Sequence, residues 1–295
     1  MSAVSVPLRT AAGESMLAQL ARKEIGRYLR HPLFWVGIAL VALTSIGEPD
    51  GDMSSLGNVV APAAGLGVIG LLVMASLVRG SDQIAESAGT VVVSERTRTL
   101  GLVAALVVPF TAGLIWLAWA IWAYRHWPPA PNGVPFGAVG SDWAYANLIA
   151  LGLLPSLGGP ILGLVIGRWV QRRGAAALFA VLLVAETIVM QGLFEPLRYL
   201  RPIAPWVYFG GPYGIPDDLD RSLILTGSPQ WYSGYLVVLC ALGVVIALLH
   251  DRERPRKNLM IALAVLTVLA VVTCVLAITT GVQETMINPL PSGRP

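Results

Sequence analysis

The chain has 295 residues, of which 55% are hydrophobic and 13% charged, with a formal net charge of +3. Soluble domains carry roughly a quarter charged residues, and a mean hydropathy of +0.69 leaves too little polar side chain to cover a water-facing surface. An ordinary soluble domain or pair of domains is excluded, lipid is the expected solvent, and the +3 means nothing until it is sorted by position.

The chain opens on MSAVSVPLRTAAGES, which lacks the apolar core and cleavage site of a signal peptide, so the first span is expected to direct insertion itself. Glu14 to His31 follows with helical periodicity. Wound at 3.6 residues per turn, Leu17, Leu20, Ala21, Ile25 and Tyr28 share one arc, and Arg22, Lys23, Arg27 and Arg30 the other. That pattern predicts a helix in the membrane interface, basic side chains toward anionic head groups. Glu24 falls on the apolar arc, where it either pairs locally with Arg27 or Tyr28 or reaches a partner protein.

A spanning helix needs about 20 apolar residues. Seven candidates follow: Leu33 to Ile46, Val59 to Val78, Leu100 to Ala123, Ala144 to Val170, Ala175 to Leu193, Tyr235 to Leu249 and Leu259 to Ile278. The first and sixth are short, and Trp231 and Tyr232 could extend the sixth. With the N-terminus inside, 15 of the 20 basic residues fall on the cytoplasmic side and five outside, which obeys the positive-inside rule and puts the C-terminus outside. The cytoplasmic segments then total +8 and the outer ones −4, and Glu186 within a span accounts for the remainder. The run RERPRK at 252–257 borders two span ends, so a topological and lipid-surface role explains it better than nucleic-acid binding.

Within the spans, Gly159, Gly163 and Gly167 form a doubled small-xxx-small stripe, suited to close packing either within the chain or between subunits. Pro155 and Pro160 in the same helix predict a bend or an unwound turn. Glu186 is the one acidic residue deep in a span, where a central acid costs about 2.5–3.5 kcal/mol on insertion scales unless paired, wetted or protonated. Bonding to another helix or subunit, and lining a polar path, are its two readings.

The segment from Arg79 to Thr99 balances Asp82, Glu86 and Glu95 against Arg79, Arg96 and Arg98, with Val91 to Val93 between. It reads either as a solvated amphipathic turn or as a segment that docks into a soluble partner. KEIGRYLRHP before the first span, and SERTRTLGLVAALVVP running into the third, resemble the membrane subunit of type-2 ABC exporters, actinobacterial ones in particular, over roughly residues 14 to 250. The resemblance implies an all-α polytopic permease with an N-terminal interfacial connecting helix (Glu24, Arg27, Arg30) and six core spans. It implies a coupling region over Ser81 to Arg98, with Asp82, Glu86, Glu95, Arg96 and Arg98 toward a cytoplasmic ATPase that holds ATP and Mg. It also implies an outer gate in the aromatic segment Glu195 to Gly234, marked by Trp206, Tyr208 and Phe209.

The expected divisions are 1–31 as tail and connecting helix, 32–250 as the permease, and 251–295 as a basic loop, an extra seventh span and an outer tail. The resembled permeases end at six spans, so the seventh is a departure. The chain carries no GxxxxGK[ST] phosphate loop, HExxH or GxSxG. The expectation is a non-enzymatic exporter subunit with no bound cofactor or metal of its own, in a bacterial plasma membrane, paired with a second permease copy or a related permease. An accessory or sensory membrane protein, and a membrane-embedded enzyme, are the other classes.

Overall fold

The computed structural model describes residues 8–45, 59–87, 93–128, 140–170, 172, 174–191, 197–206, 226–251 and 255–283. Among them are eight helices, a short 3-10 turn and one strand pair of two residues each. Helix α1 is Leu8–Leu29 and α2 is Pro32–Ser45. Helix α3 opens on a π-helical stretch, Ala63–Val68, and continues over Ile69–Ser87. Helix α4 is Glu95–His126, α5 is Ser141–Trp169 and α6 is Ala175–Gln191. After the 3-10 turn Leu197–Ile203 come α7, Pro229–Leu248, and α8, Lys257–Thr279.

Five of these helices, α3, α4, α5, α7 and α8, are long and apolar enough to cross a bilayer, and α2 and α6 are shorter apolar helices. The chain is a multi-pass membrane protein. One expected length changes. The sixth span is longer than its apolar run because Ser228 caps it, its hydroxyl accepting from the Trp231 N–H at 3.4 Å, so that Trp231 and Tyr232 join the helix. The fifth is described for 17 residues, to Gln191, with 192–196 outside the described residues.

Helices α3 and α5 form the centre: 61% and 67% of their apolar windows are buried, against 17% for α8 at the periphery. Their contact uses the glycine stripe. A Cβ at Gly159 would fall on the Gly67 carbonyl and one at Gly163 on the Leu71 carbonyl, while at Gly167 it would come within 2.8 Å of the Val78 Cβ. The stripe thus packs within the chain, two backbones approaching where any side chain would hold them apart. Gly37 and Gly65 bring α2 against α3 in the same way.

The proline expectation takes a specific form. Pro155 has no N–H and crowds the carbonyl four residues back, and the backbone widens just before it into the π-helical stretch Leu148–Leu153. Pro160 is carried within the α-helix.

Candidate functional site

Charged side chains gather at one end of the bundle. Asp82, on the last turns of α3, accepts from Arg168 Nη1 at 2.7 Å and Arg98 Nη1 at 3.1 Å, tying α3 to α5 and α4. Arg168 is 2% exposed, and its Nε and Nη2 have no hydrogen-bond partner. Ser94 caps α4 through the Thr97 N–H, and Asp251, 155 residues away, accepts from the Arg96 N–H at 3.1 Å as a second cap on the same helix start. Glu95 pairs with His250 Nδ1, and the Trp169 indole stacks edge-on against the His250 ring and donates to the Ile246 carbonyl at 3.1 Å. Glu86 lies on α3, its side chain outside the described residues, as are Val91 and Val92.

Of the expected coupling residues, Asp82, Glu95 and Arg98 are therefore paired through their side chains within their own bundle, and Arg96 is bonded through its N–H. Helix α4 begins at Glu95, five residues before the apolar run expected at Leu100, because a serine cap and an acid in the first turn suit a helix start. Likewise α3 runs on to Ser87. Most of the Arg79 to Thr99 segment is thus helix extending from two spans.

Helix α1 docks at the same end. Its apolar arc is spent on protein: Tyr28 is fully buried, with the Phe34 ring edge-on at 5.5 Å, and α1 packs on α3 and the first turns of α4, where Leu20 meets Gly101. Glu24, 5% exposed, forms an ion pair with Arg27 at 2.8 Å, and the Arg27 guanidinium reaches on to the Leu77 carbonyl at 3.5 Å, over Gly80. A local pair and a link to α3 thus explain the acid on the apolar arc. Arg22, Lys23 and Arg30 remain exposed and, with Gly26 and Arg27, line an open depression.

His31, in the joint between α1 and α2, is fixed by the Ser76 hydroxyl. That hydroxyl donates to the Val73 carbonyl at 2.8 Å, so it accepts from His31 Nε2–H at 2.9 Å. Nδ1 is buried without a partner. Burial, and then the positive charge of Arg27, hold the imidazole below its ordinary pKa. The unfolded chain therefore takes up this proton first, and stability is expected to fall as pH drops below about 6.5. Unfolding in mild detergent from pH 7.5 to 5 checks this: His31→Gln, which keeps a donor to Ser76, should flatten the slope, and an unchanged slope would remove His31 as its source.

The opposite end is organised by the 3-10 turn. Tyr232 donates to the Ala204 carbonyl at 2.8 Å, Tyr235 donates to the Ile203 carbonyl at 2.9 Å, and the Cys274 thiol lies 3.9 Å from the Pro202 carbonyl. These contacts fold the chain inward, and Trp206 is buried with φ +61°, a backbone region that only glycine enters without cost. Its indole packs beside Gly67 on α3 and Gly158 on α5. Trp206, expected at an outer gate, is a wedge between helices; Tyr208 and Phe209 lie outside the described residues.

Beside that wedge, α5, α6 and α7 leave a pocket of about 230 Å³ lined by hydrocarbon, the Cys240 thiol and the Trp206 indole. Glu186 stands one turn beyond Leu183, a lining residue, and within electrostatic reach of Tyr235. Its Oε2 is shielded from solvent without a hydrogen-bond partner.

Arg168, His250 and Asp251 are the residues that a sequence reading passes over. Arg168 alone carries a local signal, a charge inside the last turn of an apolar run, IGRWV. No family model, no curated protein and no solved structure matches the chain.

Proposed function

We propose that the chain is the membrane subunit of an ATP-driven exporter of the type-2 ABC kind, taking its energy from a separate cytoplasmic ATPase. One observation carries the reading. The polar ends of α3 and α4, which flank the expected coupling segment, are tied to the ends of α5 and α7: Asp82 to Arg168, Glu95 to His250, and the Arg96 N–H to Asp251. A displacement imposed on that segment would reach four spanning helices at once. On this reading the positive-inside asymmetry of the sequence would turn this end to the cytoplasm, with the N-terminus inside and the C-terminus outside, in a bacterial plasma membrane. The exposed basic face of α1 suits anionic head groups beside it. Two permease chains and two ATPases would complete the machine, with substrate leaving outward and no covalent chemistry upon it.

The test is gentle solubilisation of the full chain and identification of what co-purifies. An ATPase bearing a phosphate-binding loop is expected, and Glu86→Lys near the end of α3 should reduce its recovery at least fivefold without reducing the amount of folded permease. Recovery of the chain with no ATPase under conditions that keep it folded overturns the reading.

A further inference from the structure

The pocket beside Trp206 has a chemistry of its own. Leu154, Ile161, Leu183, Leu236 and Leu239 give it hydrocarbon walls, and no charged side chain lines it. A polar ligand would lose its hydration there and recover few hydrogen bonds. The volume, about 230 Å³, lies below the usual range for drug-sized ligands, about 300–1,000 Å³, so a narrow alkyl chain fits better than a fused-ring body.

One acid stands beside this hydrocarbon. Glu186 is the sole charged residue of α6, and no ion pair among the described residues includes it. Its shielded Oε2 without a partner is costly at this depth in a span, and a ligand that brought a positive charge would offset that cost. Trp206 forms part of the wall, and Tyr235, next in the chain to the lining residue Leu236, lies within electrostatic reach of Glu186. Aromatic rings are a common surrounding for quaternary ammonium groups.

From this juxtaposition we infer that the pocket between α5, α6 and α7 binds a lipophilic monocation, its alkyl part between Leu183 and Leu239 and its cationic head at Glu186. The inference rests on the exporter reading only for the ligand's fate: the ligand would be the cargo or a compound that competes with it. Charge complementarity distinguishes it from a neutral acyl chain, which the same walls would accept but which would leave Glu186 as it is.

The experiment uses the purified full chain in nanodiscs of phosphatidylcholine, whose surface has no net charge to concentrate cations. Radiolabelled decyltrimethylammonium is compared with 1-decanol by equilibrium dialysis, reading saturable binding above protein-free discs. The ammonium is expected to bind at least tenfold more tightly than the alcohol, and Glu186→Gln should remove the difference by weakening the ammonium alone. Gly158→Leu should weaken both at least tenfold. A Cβ there meets Trp206 Nε1 at 3.4 Å, an ordinary contact, so the added bulk has to enter the pocket.

Equal binding of the two probes by the unmodified chain, or none, overturns the inference, and that comparison holds even if Glu186→Gln fails to fold. Saturable ammonium binding by a chain with which no ATPase co-purifies removes the exporter reading and leaves the site. Export of the ammonium undiminished in both variants removes the site and leaves the exporter.

Discussion

Asp82→Ala is expected to destabilise the folded chain by about 3 kcal/mol, the lower end of what is lost when one member of a buried ion pair is removed. The cost arises at Arg168, which is 2% exposed and already has two nitrogens without partners. Without Asp82 its one acceptor among the described residues is gone, and an uncompensated cation remains in a place that water does not reach. Asp82 itself, 29% exposed, can be hydrated in part, which keeps the effect at the low end. The double variant Asp82→Ala, Arg168→Met should recover much of the loss, because it removes the stranded charge along with its partner and leaves an apolar side chain of similar length. Denaturant unfolding in mild detergent, run on both single variants and the double as a cycle, measures the coupling. Additive losses would mean that Asp82 and Arg168 act independently, and the link between α3 and α5 would then carry no energy of its own.

Gly159→Leu is the second large effect. The Gly67 carbonyl occupies the place of its Cβ, and backbone cannot turn aside as a flexible side chain can. Overpacking costs typically about 1–3 kcal/mol and more where the neighbour cannot yield, so at least about 3 kcal/mol is expected here. Gly158 is the internal control: the nearest atoms to a Cβ there lie at 3.4 Å or beyond, and Gly158→Ala should leave stability within about 0.5 kcal/mol. Thermal unfolding of the two variants side by side decides. Equal stability would mean that α3 and α5 separate freely at this crossing.

The comparison of sequence and structure divides along a physical line. Seven apolar runs became seven apolar helices because burial in lipid depends on local composition, which a single sequence carries. The glycine stripe was legible as close packing, and its partner was not, since Gly67 and Leu71 lie some ninety residues earlier and bear no mark of the meeting. Helix starts went astray where caps are polar: Ser94 and Glu95 look like loop until the helix that they begin is known. The ion pairs were the least legible. Asp82 with Arg168, and Glu95 with His250, join residues 86 and 155 positions apart, and composition assigns such charges to the surface by default. The outer gate expected at Trp206 came from the resemblance, and the inward turn of that residue has no local mark. Only the tyrosine hydroxyls of α7, which donate to Ile203 and Ala204, account for its inward turn.

The short strand pair between Thr226–Gly227 and Val282–Gln283, with the Ser228 N–H on the Ala277 carbonyl at 2.9 Å, stitches the two ends of the final helical pair together. That stitch bears on biogenesis. Helices α7 and α8 pack along each other and meet again at their far end, so the pair suits entry into the bilayer as one hairpin. A chain truncated at residue 256 would shed more than an appendage: the residues that open α7 would lose their backbone partners, and the tyrosines that anchor the inward turn would stand on a frayed helix. The last helix is by this geometry a splint.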